Sequence, residues 1–265
     1  NASALKRVLI LYTPPNRNCD TQAVLIKERS NFIAKRMQAA SLQVQSIELA
    51  YQSTYKAAIL YSLPATFMTR GVYDKIQAAA TRIFLAMKGF NPNFPRIVGY
   101  YPKEIGSHGL MRIHTKQGTE GTLMLLKHIK AETKLGEMME TSEAWHRVWA
   151  GTGEGFLENP KSPIPPMTRG WLINIREFLE QCNAKIENGR SEKQIRQRDF
   201  FIMERLLKME WTPSQMEQLN RCRLHLQVSR ASDISSADGK YLKEIWNDAN
   251  KEKEEYILAD NAKTK

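Results

Sequence analysis

The stretch Val72-Tyr73-Asp74-Lys75-Ile76-Gln77-Ala78-Ala79-Ala80-Thr81-Arg82-Ile83-Phe84-Leu85-Ala86-Met87-Lys88, followed by Gly89, decides the fold class. Val72, Ile76, Ala79, Ala80, Ile83, Phe84 and Met87 recur at spacings of three and four, the signature of a helix with one apolar face. Gly89 stands where a helix can end in a left-handed turn. At about 100° per residue, Lys75 and Arg82 fall together along one border of that face. A docked helix with a basic edge suits a nucleic-acid groove, although lysine and arginine beside an apolar stripe also serve simply to snorkel into solvent.

Working outward, the same period recurs on both sides. Ser53 to Ser62 reads as a helix that breaks near Pro64. Before it, Val24, Ile26, Phe32, Ile33, Met37, Leu42, Val44 and Ile47 mostly return at helical spacing between Asp20 and Ala50. After it, helices are expected over 117–131, 137–149, 171–179 and 192–210, the last with Ile195, Phe201, Ile202, Leu206 and Met209 turned inward. Thr212-Pro213-Ser214-Gln215 has the N-cap, proline and glutamine of a capping box. It favours helix in the following segment, whose residues Arg221 to Val228 alternate as a strand would. One strand is expected, Arg7 to Thr13, a short apolar run stopped by Pro14-Pro15. The class is therefore mainly α: a helical bundle with a short residual strand at its N-terminus, followed by a second helical unit. The Pro-rich segment Asn159 to Thr168 is the expected linker between them.

The chain has 265 residues, 42% of them hydrophobic and 25% charged, the profile of an ordinary globular protein. No run reaches the roughly 18 apolar residues of a spanning helix, so a membrane role is not expected. The three cysteines, Cys19, Cys182 and Cys222, form no CxxC pair, and a reducing intracellular compartment, cytoplasmic or nuclear, fits best. Cys182 and Cys222 read as packed thiols on helices. The start at Asn1 rather than Met suggests a piece of something longer.

Net charge is +11, with a pI near 9.5. Residues 1 to 100 carry 13 Lys or Arg against four acids, a net of +9; the remaining 26 against 24 leave only +2. A basic N-terminal part joined to a near-neutral one is what attraction to a phosphate backbone would produce.

Catalytic constellations do not emerge. The five histidines show neither HExxH nor paired-ligand spacing, and no serine sits in a nucleophile elbow. Gly151-Thr152-Gly153-Glu154-Gly155 lacks the Lys-Ser or Lys-Thr of a phosphate loop and carries an acid in its middle. Asp20, Glu28, Glu48 and Asp74 are too scattered to hold the two metals of phosphoryl transfer. The loop Gly89 to Arg96 sets Phe90 and Phe94 beside Arg96; such aromatics either stack a base or plug the edge of a core.

In order, Tyr61-x-Leu63-Pro64, Lys75-Ile76-Gln77, Gly89-Phe90-Asn91, Pro95-Arg96, Gly109-Leu110 and Gln117 resemble the region just downstream of the polymerase core in non-LTR retrotransposon reverse transcriptases, particularly elements of diatoms and other algae. Trp171-Leu172-x-x-Ile175-Arg176-x-Phe178-Leu179, Arg198-Asp199-x-x-Ile202-Met203, Leu219-Asn220-x-Cys222-Arg223-Leu224-x-Leu226-Gln227-Val228, Ser232-Asp233-Ile234 and Gly239 are similar to the C-terminal extension of the same group. The likeness covers roughly residues 50 to 240.

It implies that residues 1–50 end a palm and that a thumb-like helical domain follows over 51–158, its gripping part reaching to about 132. The linker 159–168, a C-terminal helical unit 169–250 and a charged tail 251–265 complete the chain. The family's paired aspartates and their magnesium ions belong to the palm upstream, so no cofactor, metal or activity is expected of this chain alone. The resemblance further implies that Lys56, Arg70, Lys75, Arg82, Lys88 and Arg96, on or beside the two thumb-like helices, touch the phosphates of RNA or an RNA/DNA duplex. The other partner would be the rest of the parent polypeptide. A reading from another class, a helical protein-interaction module without nucleic acid, stands beside it.

Overall fold

Most helices form where apolar residues recur with the helical period, and the computed structural model is mainly helical. It describes residues 19–61, 63–91, 94–101, 103–105, 107–187, 196, 199–236, 238 and 240–243. The strand expected at Arg7 to Thr13, the first part of the helix expected over 192–210, Gly239 and the tail from 251 lie outside the described residues. Two compact units are present, residues 1–131 with 169–178, and residues 132–168 with 179–265. The chain crosses between them after Ala131, after Thr168 at the end of the Pro-rich segment, and after Phe178 within a later helix.

In the first unit, α1 (Asp20–Ala39) packs on α4 (Arg70–Met87). Between them in sequence run α2 (Val44–Ala50), a π-helical turn (Tyr51–Lys56) and α3 (Ala57–Leu60). The π turn sets Tyr51 and Tyr55 against Phe84 of α4: the tyrosine rings stack at 5.3 Å and each meets the Phe84 ring edge-on, at 4.7 and 4.9 Å. Burial of three phenols obliges each hydroxyl to find a partner. Tyr51 accepts from the Met111 amide at 2.8 Å, while Tyr55 pairs with Ser30 and Tyr73 with Thr66, each at 2.9 Å. Loss of solvent pushes the Tyr55 phenol up to about 12.

Helix α4 begins at Thr69, whose hydroxyl accepts from the Val72 amide, and ends as expected at Gly89. There φ is +85°, and the amides of Gly89 and Phe90 return to the carbonyls of Ala86 and Leu85, a Schellman ending. Its buried face differs from the expected stripe. Tyr73, Ile76, Gln77, Ala80, Thr81, Phe84 and Leu85 are buried, whereas Ala79 is exposed. The reason is polar wiring: Gln77 Nε2 donates to the Tyr100 hydroxyl at 2.6 Å and Gln77 Oε1 accepts from the Ile113 amide at 2.7 Å. On α1 the inward residues are Gln22, Ile26, Ser30, Ala34 and Met37, and Phe32, expected in the apolar face, is exposed beneath the Arg36 guanidinium.

The unit continues through α5 (Arg96–Gly99) and α6 (Ile113–Lys130), and takes in the first part of α8 (Trp171–Gln181). Carbonyls of the turn after α3 are claimed by these later elements. Trp171 Nε1 donates to Pro64 O at 2.7 Å, Asn174 Nδ2 to Met68 O at 3.1 Å and Gln117 Nε2 to Thr66 O at 2.9 Å. Phe178 lies over Gly118, where an added Cβ would stand only 2.2 Å from its ring.

The second unit holds α7 (Lys134–Ala150), α9 (Ile202–Leu206), α10 (Pro213–His225) and α11 (Ala231–Ile234). Helix α10 starts on the expected capping box of Thr212 and Gln215, and helix prevails over the strand-like alternation after Arg221. The long helix expected over 192–210 is corrected: among the described residues of that span Phe201 forms an isolated antiparallel bridge with Arg230, and helix occupies Ile202–Leu206. Cys182 is also corrected, lying exposed in the turn after α8 rather than packed on a helix.

Candidate nucleic-acid interface

The six cations implied by the resemblance separate into groups. Lys56 donates to Gln52 Oε1 at 3.1 Å, one turn back along the π-helical segment. Gln52 lines a small cavity with Glu48, Tyr51, Lys88 and His108. Lys88 is turned inward there: its side chain is only 12% exposed, its ammonium is 3.7 Å from Glu48, and reduced solvation lowers its pKa. Lys103 pairs with the same carboxylate. A phosphate at Lys88 would have to displace Glu48, so this lysine is poorly placed for backbone contact.

Arg70 forms an exposed i,i+4 pair with Asp74 at 3.8 Å, a contact worth little on its own. Lys75 and Arg82 are exposed on α4, and Arg96 is exposed at the start of α5. These three have no ion pair among the described residues. Lys75 and Arg82 lie within about 60° of Ala78 around the helix, at 100° per residue.

Ala78 itself lines a concavity. With Asp74 and Gln77 it forms one wall of a pocket of about 210 Å3, and Arg96, Ile97, Tyr100 and Arg112 form the other. The far wall is held in place. Tyr100 OH is fixed by Gln77 and, at 3.1 Å, by Thr81, and the Arg112 guanidinium lies over the Tyr100 ring, 5.8 Å from its centroid. Of the six expected cations only Arg96 lines this pocket, where Arg112, which sequence reasoning missed, joins it; Lys75 and Arg82 stand on the neighbouring exposed side of α4. Arg112 follows a glycine turn with no periodicity to mark it; long-range contacts such as the Gln77–Ile113 bond draw it back onto α4.

Other sequence signals resolve as structure. Phe90 and Phe94 contact each other at 4.7 Å and pack on the core, with His108 on the Phe90 ring at 4.5 Å, so they plug an edge. In the Gly151–Gly155 loop the amides a phosphate would use are taken: Gly153 N donates to Glu204 at 3.1 Å and Gly155 N to Glu158 at 2.9 Å. The glycines Gly151 and Gly153 admit Met203, Arg223 and Phe201, whose atoms lie within 3.0 Å of where a Cβ would stand. Among the described residues no three His, Cys, Asp or Glu side chains gather to hold a metal, and no helix is long and apolar enough to cross a membrane.

Comparison of the chain with protein-family models, curated proteins and solved structures finds no match.

Proposed function

We propose that the chain is the non-catalytic, post-palm part of a retroelement RNA-directed DNA polymerase, and that its first unit grips an RNA-containing duplex through the phosphate backbone. The observation that supports this best is that Arg96 and Arg112 line one pocket against α4, whose neighbouring exposed side carries Lys75 and Arg82, in a chain whose excess charge lies almost wholly in residues 1–100. Lysine and arginine at a rim attract phosphates without reading bases. Binding should therefore be indifferent to sequence and steeply dependent on salt.

The test is fluorescence anisotropy with a blunt RNA/DNA duplex lacking terminal phosphates. Affinity should fall at least about tenfold between about 50 and 200 mM salt. Lys75→Ala with Arg82→Ala should reduce both the affinity and the salt slope, the slope by about one for each phosphate no longer neutralised. Salt-independent binding, or an unaffected double variant, rejects the reading. Leu135, Met138, Trp145 and Val148 are exposed on α7 and favour the second reading, a protein-interaction module; that module would leave duplex binding untouched by the double variant.

A further inference from the structure

We propose that the pocket lined by Asp74, Gln77, Ala78, Arg96, Ile97, Tyr100 and Arg112 is a receptor for a phosphorylated ribose unit. Arg96 and Arg112 would hold the phosphate, and Asp74 would accept from a sugar hydroxyl. This goes beyond backbone gripping and does not require it, because Lys75 and Arg82 do not line the pocket.

Size comes first. About 210 Å3 corresponds to roughly seven waters. That exceeds what a bare phosphate needs and falls short of the roughly 300 Å3 at which drug-sized sites begin.

Charge narrows the choice. Two guanidiniums call for an anion with several oxygens, which phosphate supplies in the geometry arginine matches best. Arg112 is an unspent donor: it has no hydrogen-bond acceptor or ion pair among the described residues, and its Nε is shielded from solvent. The guanidinium as a whole lines the pocket, so its other N–H groups are the donors an entering anion would meet.

Asp74 then excludes a bare phosphate as the best ligand, since a carboxylate on the same wall repels a second anion. Its described ion pair with Arg70 is long and exposed, leaving lone pairs for a hydroxyl carried beside the phosphate. Ala78 and Ile97 offer small apolar surface to the C–H face of a sugar ring. The wall is also preorganised, because the Tyr100 hydroxyl is tied to Gln77 and Thr81 before any ligand arrives.

The experiment is titration calorimetry on the full chain with ribose 5-phosphate and, separately, inorganic phosphate. Ribose 5-phosphate should bind at least about tenfold more tightly than phosphate. Arg112→Gln and Arg96→Gln should each weaken it by about tenfold or more, as expected when a charge-assisted hydrogen bond is removed. Asp74→Asn should strengthen phosphate binding while shrinking the preference for the sugar. Equal affinity for the two probes, or Arg112→Gln and Arg96→Gln variants that keep their thermal unfolding profile and bind like the parent, overturns the proposal. Should Arg112→Gln unfold, the exposed Arg96→Gln decides alone. A short RNA with a 5′-phosphate or a 5′-hydroxyl separates the sources: a strand end gives a phosphate-dependent gain over free ribose 5-phosphate, a free metabolite gives none. Failure here leaves the binding of unphosphorylated duplex, and its loss in the Lys75/Arg82 variant, as an independent result.

Discussion

Arg223 is a full charge taken out of water, 5% exposed, and its described partners are all neutral. Its guanidinium donates to the carbonyls of Val148 and Trp149 at 2.6 and 2.9 Å and to Asn220 Oδ1 at 2.9 and 3.0 Å, with longer contacts to Val228 and Ser229. Burial lowers its pKa, and the ring of acceptors is what keeps it charged. One side chain thereby ties the end of α7 to α10. Arg223→Met should destabilise the second unit by about 2–3 kcal/mol, since it strands several buried acceptors at once. The midpoint of urea unfolding, followed by tryptophan fluorescence, measures this. His114 is the corresponding case in the first unit. Burial lowers its pKa, with Arg70 and Arg112 pushing the same way against Asp74 and Glu177. The unfolded chain therefore takes up this proton more readily than the folded one. The contribution of His114 to stability is present above its unfolded pKa of about 6.5 and is lost as pH falls from there through the lower folded value. Parent and His114→Gln chains, unfolded thermally at about pH 7.5 and about pH 5, should differ in how much stability they lose, with the smaller loss in the variant.

Among the elements, glycines in helices make a matched pair. Gly71 meets nothing within 4 Å of an added Cβ, so Gly71→Ala should raise stability by about 0.5 kcal/mol through the unfolded chain and helix propensity. Gly118 faces Phe178, and the same exchange there sets a gain of up to about 1 kcal/mol in propensity against overpacking of about 1–3 kcal/mol. Overpacking wins, and Gly118→Ala should lower the thermal midpoint. Thr212→Ala should cost about 1 kcal/mol by dismantling the capping box of α10. The helix signals that sequence carried were local ones: the 3.6-residue period of α4, the glycine after Lys88, the cap at Thr212. What it hid was non-local. Nothing near Phe201 announces its bridge to Arg230, 29 positions on, which sets Phe201 in extended backbone so that helix starts only at Ile202. Likewise Gln77 reads as a polar interruption of an apolar stripe until Tyr100 and Ile113 arrive to satisfy it. The candidate site was half legible for the same reason: Lys75, Arg82 and Arg96 stand out by charge and periodicity, whereas Arg112 and Tyr100 join them only through tertiary contact.

At the scale of the whole molecule, the first unit is discontinuous in sequence. A chain ended at Ala131 would carry every cation of the candidate interface yet lack Trp171, Asn174 and Phe178. The carbonyls of Pro64 and Met68 would be left without their donors, and the hollow at Gly118 would stand empty. Such a chain should unfold at a lower temperature than the full one and bind a hydrophobic dye, and a separately added peptide spanning 169–181 should partly restore it. A dye-free, equally stable truncation would show the insertion of α8 to be dispensable.

That discontinuity also sets a clock on biosynthesis. At about 5–20 residues per second, the ribosome spends several seconds between delivering Ala131 and delivering Phe178. Throughout that interval the nascent chain must hold an open seat on α6 while the whole of α7 is still being made, so the earliest-made half of this protein is among the last to be finished.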